Sequence, residues 1–305
     1  METTQPSGIL SPALTAFNEQ FEIDAERTVA HFRWLLKEGC DGLVVFGTTS
    51  EANSLSVTER TSFLEYAVSA GIDANKLLPG TGCCSLPDSV VLTKHAVGLG
   101  CPGVLMLPPF YYKAVSDEGL FRYFATLIER VGDGRLRIYL YHIPPISQVA
   151  ISFDLIERLV TEFPGVVIGV KDSSGDWDHT RRLIELFAPG GFRVFPGNEM
   201  HLLPALREGG RGCVSAFANI NPSLLQNLFH NWLRPEADEL QEEVQRQGRA
   251  LRKYPVIPAL KAILAKWRNE PEWENVRPPL VALSAEQREA LLRDLAAVRF
   301  QRPLL

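Results

Sequence analysis

Short apolar runs alternate with longer amphipathic segments along most of this 305-residue chain. Each apolar run is rich in Val, Ile, Leu, Phe or Tyr and is followed by turn-forming residues, which is typical of a buried β-strand. The pattern predicts eight strands, at Ile9–Thr15, Gly42–Phe46, Lys76–Gly80, Gly103–Leu107, Arg137–His142, Val166–Lys171, Phe192–Phe195 and Gly212–Ala216.

The segments between these strands place apolar residues every three or four positions, and several end at Gly, as amphipathic helices do. The predicted helices are Ala25–Glu38, Thr58–Ala70, Ser116–Arg130, Ser152–Glu162, Asp176–Phe187, Met200–Glu208 and Pro222–Leu233. The regular alternation predicts the α/β class, as a (β/α)8 TIM barrel over residues 1–233. The alternative is an open doubly wound sheet, but no glycine-rich dinucleotide loop follows the first strand.

Residues 234–305 contain no strand pattern. Three helices separated by proline-rich joints are predicted there, at Pro235–Lys253, Val256–Arg268 and Ser284–Phe300. We expect this segment to form a helical C-terminal extension that packs on the barrel.

Composition limits the classes of partner. Hydrophobic residues make up 46% of the chain, charged residues 22%, and the formal net charge is −5, so neither nucleic acid nor a membrane is expected to bind. The five cysteines include no CxxC pair, which favours free thiols over a metal site. No secretory leader or membrane-spanning run is recognisable, and we expect a soluble cytoplasmic protein.

Lys171 is the first candidate for chemistry, since active sites of such barrels lie at the carboxyl ends of the strands. It ends the apolar run 166–170, where burial would lower the pKa of its amine from about 10.4 and create a nucleophile. Gly169, two residues earlier on the same face, is expected to leave room for the lysine stem. A lysine that merely reaches solvent at a strand end is the alternative, and the pattern alone leaves both open.

Other strand ends carry polar groups. Tyr141 ends the fifth predicted strand, and its phenol could relay protons. Thr48 and Thr49 follow the second strand, where their hydroxyls and backbone N–H groups could hold a carboxylate. Each signal is weak alone, because core tyrosines and polar turns are common.

Four motifs occur in order along the chain: Gly47-Thr48-Thr49-Ser50-Glu51, Pro109-Phe110-Tyr111-Tyr112, Tyr141-His142-Ile143-Pro144 and Gly169-Val170-Lys171-Asp172. With them the chain resembles the dihydrodipicolinate synthase/N-acetylneuraminate lyase family of class I, pyruvate-dependent aldolases over essentially its whole length. The resemblance implies a (β/α)8 enzyme in which Lys171 forms an imine with the keto carbon of pyruvate. It also implies that Tyr141 relays protons, that Thr49 hydrogen-bonds its hydroxyl, and that Thr48 and Thr49 hold the pyruvate carboxylate.

The resemblance implies three further positions in the site. Tyr112 would complete the proton relay, and in many relatives a neighbouring subunit supplies this residue. Gly197 and Val214 would line the pocket through backbone groups. We therefore expect a homo-oligomer, a dimer or a homotetramer, with no metal or organic cofactor beyond the covalent imine of the substrate on Lys171.

Two positions depart from the family pattern. Ser50 replaces a glycine of the threonine loop, and Ile146 stands where the lysine-pathway synthases carry an arginine that binds the second substrate. We therefore expect an aldolase or lyase that acts on a 2-oxo-3-deoxy sugar acid or a similar 2-oxo acid. The alternatives are 4-hydroxy-tetrahydrodipicolinate synthase, which Ile146 disfavours, a 2-oxo-3-deoxy acid dehydratase, and a non-catalytic ligand-sensing barrel.

Overall fold

Seven short parallel strands form the centre of the computed structural model, which describes residues 5–300. They are β1 (Gly8–Ser11), β2 (Gly42–Leu43), β3 (Val104–Met106), β4 (Ile138–His142), β5 (Val167–Asp172), β6 (Arg193–Pro196) and β7 (Gly212–Val214). Their hydrogen-bonded orders are β2-β1-β7 and β3-β4-β5-β6. Five of these strands are shorter than predicted, whereas β5 and β6 have the predicted lengths and begin one residue later. The positions of all seven agree with the prediction.

The predicted third strand lies between β2 and β3. Its backbone bonds to both neighbours are Leu78 N to Leu43 O, Gly80 N to Val45 O and Leu105 N to Pro79 O, each 2.7 or 2.8 Å long. Pro79 has no N–H to donate, and the ladder is interrupted there. On the opposite side, Arg211 N donates to Val194 O at 3.0 Å between β7 and β6. The strands follow one another in chain order around a circle, which confirms the predicted (β/α)8 barrel.

Twelve helices surround and extend the described strands. They are α1 (Ala25–Lys37), α2 (Val57–Ser69), α3 (Leu86–Gly98), α4 (Asp117–Val131), α5 (Pro144–Ser147), α6 (Phe153–Glu162), α7 (Trp177–Phe187), α8 (Leu202–Glu208), α9 (Pro222–Asn231), α10 (Ala237–Leu251), α11 (Val256–Arg268) and α12 (Ala285–Ala297). The sequence pattern did not predict α3 or the single turn α5. The Ser85 side chain, which accepts from Asp88 N, is the capping signal that α3 carries.

The barrel has two apolar layers. One fills its interior with side chains from successive strands, among them Leu10, Val44, Leu105, Tyr139 and Phe195. The other packs the outer strand faces against the helices and continues into α11 and α12. The C-terminal helices therefore share a hydrophobic core with the barrel, and a domain boundary between residues 233 and 234 stays a prediction. Within residues 5–300, every helix is too short or too polar to cross a membrane.

Candidate active site

Strand register brings Lys171 and Tyr141 together. The two residues face each other across the β4–β5 pair, and both side chains are buried. Lys171 Nζ donates to Tyr141 Oη at 3.3 Å and lies 4.3 Å from the centre of the tyrosine ring. The amine and the phenol are thus in contact before any ligand enters.

Thr48 provides the next contact. Its Oγ1 lies 3.2 Å from Tyr141 Oη, so hydroxyl groups link Thr48, Tyr141 and the Lys171 amine in one chain. The expectation that Thr49 makes this bond is wrong. The two threonines lie in a turn after β2, where neighbouring side chains point in different directions, and the one that faces Tyr141 is Thr48.

A cavity of about 350 Å³ opens above these groups. All but one of the predicted site residues line it, namely Thr48, Thr49, Tyr141, Lys171, Gly197 and Val214. Within residues 5–300, the backbone N–H groups of Thr48 and Thr49 have no protein acceptor. They are therefore available to a carboxylate that enters the cavity.

Tyr112 is the predicted site residue that does not line this cavity. It is 74% exposed, and its ring packs edge-on against Tyr111 with 5.5 Å between the ring centres. One chain alone therefore does not deliver Tyr112 to Lys171, and its part in the proton relay stays a prediction.

Contrary to expectation, Gly169 does not make room for the Lys171 side chain. A Cβ there would lie 2.6 Å from both the Tyr139 ring and Arg193 O, so the missing side chain makes room for Tyr139 rather than for the lysine stem. Gly197 is constrained on the cavity wall, because a Cβ would lie 1.9 Å from Ser173 Oγ.

Ser50 is compatible with the turn that usually contains glycine. Its hydroxyl donates to Ala13 O at 2.5 Å, and Thr15 Oγ1 donates to Ser50 O at 3.0 Å. The left-handed residue of this loop is Glu51, with φ 58°, so no glycine is required at position 50.

Glu51 forms a fully buried ion pair with Lys261 of α11. Its other carboxylate oxygen accepts from the backbone N–H of Arg277 at 2.8 Å, and the Lys261 amine also donates to Asn275 O at 2.7 Å. Burial lowers the pKa of Lys261 to about 8, although the Glu51 carboxylate counteracts this effect. The C-terminal helices therefore hold the loop that carries Thr48 and Thr49.

The two buried lysines have opposite surroundings. Lys261 meets a carboxylate and a carbonyl, which suit an ammonium ion. Lys171 meets a phenol and an open cavity, and within residues 5–300 no carboxylate lies within 4.0 Å of its amine. Lys171 is therefore the amine that is free to react with a ligand.

Sequence and fold comparisons agree on what this chain resembles. A sequence profile described as the Dihydrodipicolinate synthetase family matches residues 5–298. An uncharacterized DapA-like lyase of Chloroflexus aurantiacus is 32% identical over 94% of this chain and 95% of its own length. The chain belongs to the dihydrodipicolinate synthetase family. Members of this family are class I aldolases and lyases, and this chain is one of them.

Two solved structures of the family show the same fold. Dihydrodipicolinate synthase of Agrobacterium tumefaciens has a TM-score of 0.86 and 33% identity, and the match covers 97% of this chain and all of that one. YagE, a prophage protein of Escherichia coli crystallised with pyruvate, has a TM-score of 0.87 and 26% identity, with 97% and 99% coverage. Lyases and synthases both occur among these relatives, so membership establishes the reaction class and leaves the second substrate open.

His142, next to Tyr141 on β4, does not line the cavity. His142 Nδ1 accepts from Ile151 N at 3.1 Å, and burial lowers its pKa to about 4, so the ring is neutral near pH 7. With Asp172 and His179 it brings three possible metal-ligand atoms within 4.8 Å of one another. Asp172 Oδ2 already accepts from Thr180 at 2.5 Å and pairs with His179 Nδ1 at 3.2 Å. The hydrogen bonds among these residues explain why they lie together, and no bound metal ion is required.

Glu199, which follows β6, is a second buried carboxylate near the carboxyl ends of the strands. Its carboxylate accepts from Ser215 and pairs with Arg252 of the C-terminal extension. Gln241 Nε2 also donates to its carbonyl at 3.1 Å. Glu199 thus joins the extension to the barrel, as Glu51 does.

Removing one partner of the Glu51–Lys261 pair should destabilise the protein strongly. Lys261→Met leaves a buried, unpaired carboxylate, and we expect the free energy of unfolding to fall by about 3–5 kcal/mol in urea titrations. The double variant Glu51→Gln/Lys261→Met should recover most of this loss, since glutamine keeps an acceptor for Arg277 N. Arg288→Met, which removes a partly exposed pair with Glu274, is the control and should cost less than about 1 kcal/mol. An equal cost for Lys261→Met and Arg288→Met would contradict the assigned role.

The corrected contact predicts different defects for the two threonines. Thr48→Val removes the hydroxyl that contacts Tyr141, and we expect kcat to fall by about 10-fold or more with little change in KM for pyruvate. Thr49→Val keeps that contact and should act mainly on KM. Steady-state kinetics of both variants would show the reverse pattern if Thr49 were the partner of Tyr141.

Proposed function

We propose that Lys171 forms an imine with the keto carbon of pyruvate, and that the protein makes or cleaves a C–C bond at the adjacent methyl carbon. The observation that carries the proposal is a buried amine that has no carboxylate partner among residues 5–300 and lies 3.3 Å from a phenol on the floor of an open cavity. The Thr49 hydroxyl and the backbone N–H groups of Thr48 and Thr49 are available to the pyruvate carboxylate on the same floor.

The geometry supports each proton transfer. The amine adds to the keto carbon, and Tyr141 protonates the hydroxyl of the resulting carbinolamine so that water leaves. The protonated imine then withdraws electrons and stabilises an enamine at the former methyl carbon. Tyr141, left as a phenolate, takes the proton that the methyl carbon releases as the enamine forms, and the Thr48 hydroxyl stabilises the phenolate through the 3.2 Å contact. No metal or organic cofactor is needed for these steps.

We propose that the second substrate is a compound other than aspartate semialdehyde. Ile146 lines the cavity from α5 and is 61% exposed, and it offers no charge to a second carboxylate. A lyase or aldolase that acts on another 2-oxo acid is therefore favoured over 4-hydroxy-tetrahydrodipicolinate synthase.

Assembly and location belong to the proposal as well. Tyr111 and Tyr112 are both 74% exposed, and such adjacent tyrosines are typical of a protein–protein contact, which supports a homo-oligomer, either a dimer or a homotetramer. The five cysteines are free thiols, which supports a reducing, cytoplasmic location.

Reductive trapping tests the imine. Pyruvate and borohydride should add one reduced pyruvyl unit to the intact protein, and peptide mapping should find it on Lys171. Lys261, buried but paired with Glu51, is an internal control that should stay unmodified. The proposal is wrong if no adduct forms, or if the adduct persists in Lys171→Ala.

A pair of tyrosines on β4 tests the proton relay. Tyr141→Phe keeps the ring but loses the phenol, and we expect kcat to fall by about 10²–10⁴-fold. Tyr139→Phe is the matched control: its hydroxyl is buried without a partner among residues 5–300, and it does not line the cavity. Tyr139→Phe should keep full activity and equal or greater stability, because it removes an unsatisfied polar group. Equal activity of the two variants would contradict the relay.

A further inference from the structure

The upper wall of the cavity differs chemically from its floor. The floor carries Lys171, Tyr141 and the two threonines, whereas the wall above it is almost entirely aliphatic. The apolar wall residues are Pro12, Ile143, Ile146, Pro255, Val256, Ile257, Pro258 and Leu280. They come from the residue after β1, from the β4–α5 region, from the start of α11 with the residue before it, and from the segment before α12. Four separate parts of the chain thus contribute apolar groups to one wall.

Charge is scarce in this cavity. Among the described residues that line it, Lys171 is the sole ionisable group of positive charge, and the imine consumes its amine. The positively charged side chains of Arg277 and Lys113, which are close to lining residues in the sequence, already have hydrogen-bond partners. The Arg277 guanidinium binds Glu59 and the carbonyl of Ser54, and the Lys113 amine donates to the carbonyls of Phe110 and Ser147. A second carboxylate or a phosphate would therefore lie against hydrocarbon without a partner, which is unfavourable.

Hydroxyl groups find few partners on the same wall. The Ser173 hydroxyl is the polar side-chain group above the floor among the described lining residues. A polyhydroxylated chain would bury several donors against Pro, Val, Ile and Leu, and each unpaired donor weakens binding. An apolar group, in contrast, would exchange water for contact with these side chains.

From this distribution we infer that the aldehyde joined to, or released from, pyruvate is a neutral compound with an apolar body, such as an alkyl or aryl aldehyde. The inference rests on the proposed imine chemistry at Lys171. In the forward direction the enamine carbon bonds to the aldehyde carbon, and the aldehyde oxygen takes a proton from Tyr141. One water molecule then hydrolyses the imine and releases a 4-hydroxy-2-oxo acid. Cleavage is the reverse, and neither direction needs an oxidant or a reductant.

An aldehyde panel tests the inference. The purified full-length protein is given pyruvate with hexanal, benzaldehyde, glyceraldehyde, glyceraldehyde 3-phosphate or aspartate semialdehyde, and kcat/KM is measured for each aldehyde. We expect hexanal or benzaldehyde to exceed each of the other three by about tenfold or more. A higher kcat/KM for glyceraldehyde, its phosphate or aspartate semialdehyde would overturn the inference.

Borohydride trapping with pyruvate alone distinguishes a failure of the aldehyde inference from a failure of the imine chemistry on which it rests. If the Lys171 adduct forms but the apolar aldehydes are not used, the substrate inference fails and the proposed imine chemistry stands. If no adduct forms, the proposed function itself fails.

Ile146 allows a charge to be introduced at the wall. It is 61% exposed, so Ile146→Arg should fold normally, and we expect it to raise kcat/KM for aspartate semialdehyde relative to benzaldehyde by about tenfold. Leu186→Arg is the control, since Leu186 is 44% exposed on α7 and does not line the cavity. It should leave the ratio unchanged. An unchanged ratio in Ile146→Arg would show that this wall does not contact the aldehyde and would overturn the inference.

Discussion

The buried ion pair between Glu51 and Lys261 is the contact on which the geometry of the site depends. Glu51 sits in a left-handed backbone conformation, which is unfavourable for a residue with a side chain. Its carboxylate is held by the Lys261 amine and by the backbone N–H of Arg277. Either charge, buried without the other, would lower the stability of the fold, so the conformation of the loop and the position of α11 depend on each other. Thr48 and Thr49 obtain their positions from this mutual requirement.

Strand register supplies the other half of the site. Parallel pairing sets Tyr141 opposite Lys171 with both side chains toward the barrel interior, and Gly169 below them admits the Tyr139 ring. Neighbouring residues on the same strands point outward, where His142 accepts from the segment before α6 and Asp172 accepts from Thr180 of α7. Lys171 and Asp172 are consecutive residues of β5, yet the lysine faces the cavity and the aspartate belongs to a hydrogen-bonded network outside the barrel. The alternation of side chains accomplishes this without any loop movement.

Local signals predicted the strand-end residues, and long-range contacts decided what those residues do. Lys171, Tyr141 and the threonines are visible because strand ends and motifs are short patterns. The partner of Glu51 is 210 positions away, which no local pattern encodes. A signal for Lys261 did exist: it shares an apolar helical face with Ile257, Leu260 and Leu264, where a lysine needs a partner. The choice between Thr48 and Thr49 depended on turn geometry, which apolar periodicity does not describe.

The C-terminal extension couples two properties of the site. Lys261 supports the threonine loop, and Ile257, one helical turn earlier on the same face of α11, lines the apolar wall. A change at Ile257 that widens the cavity would also disturb the packing around Lys261 and hence the loop. Ile146 lies on the short, exposed turn α5, away from the packing around Lys261. Substrate preference can therefore change at Ile146 while the imine chemistry and the buried ion pair remain as they are.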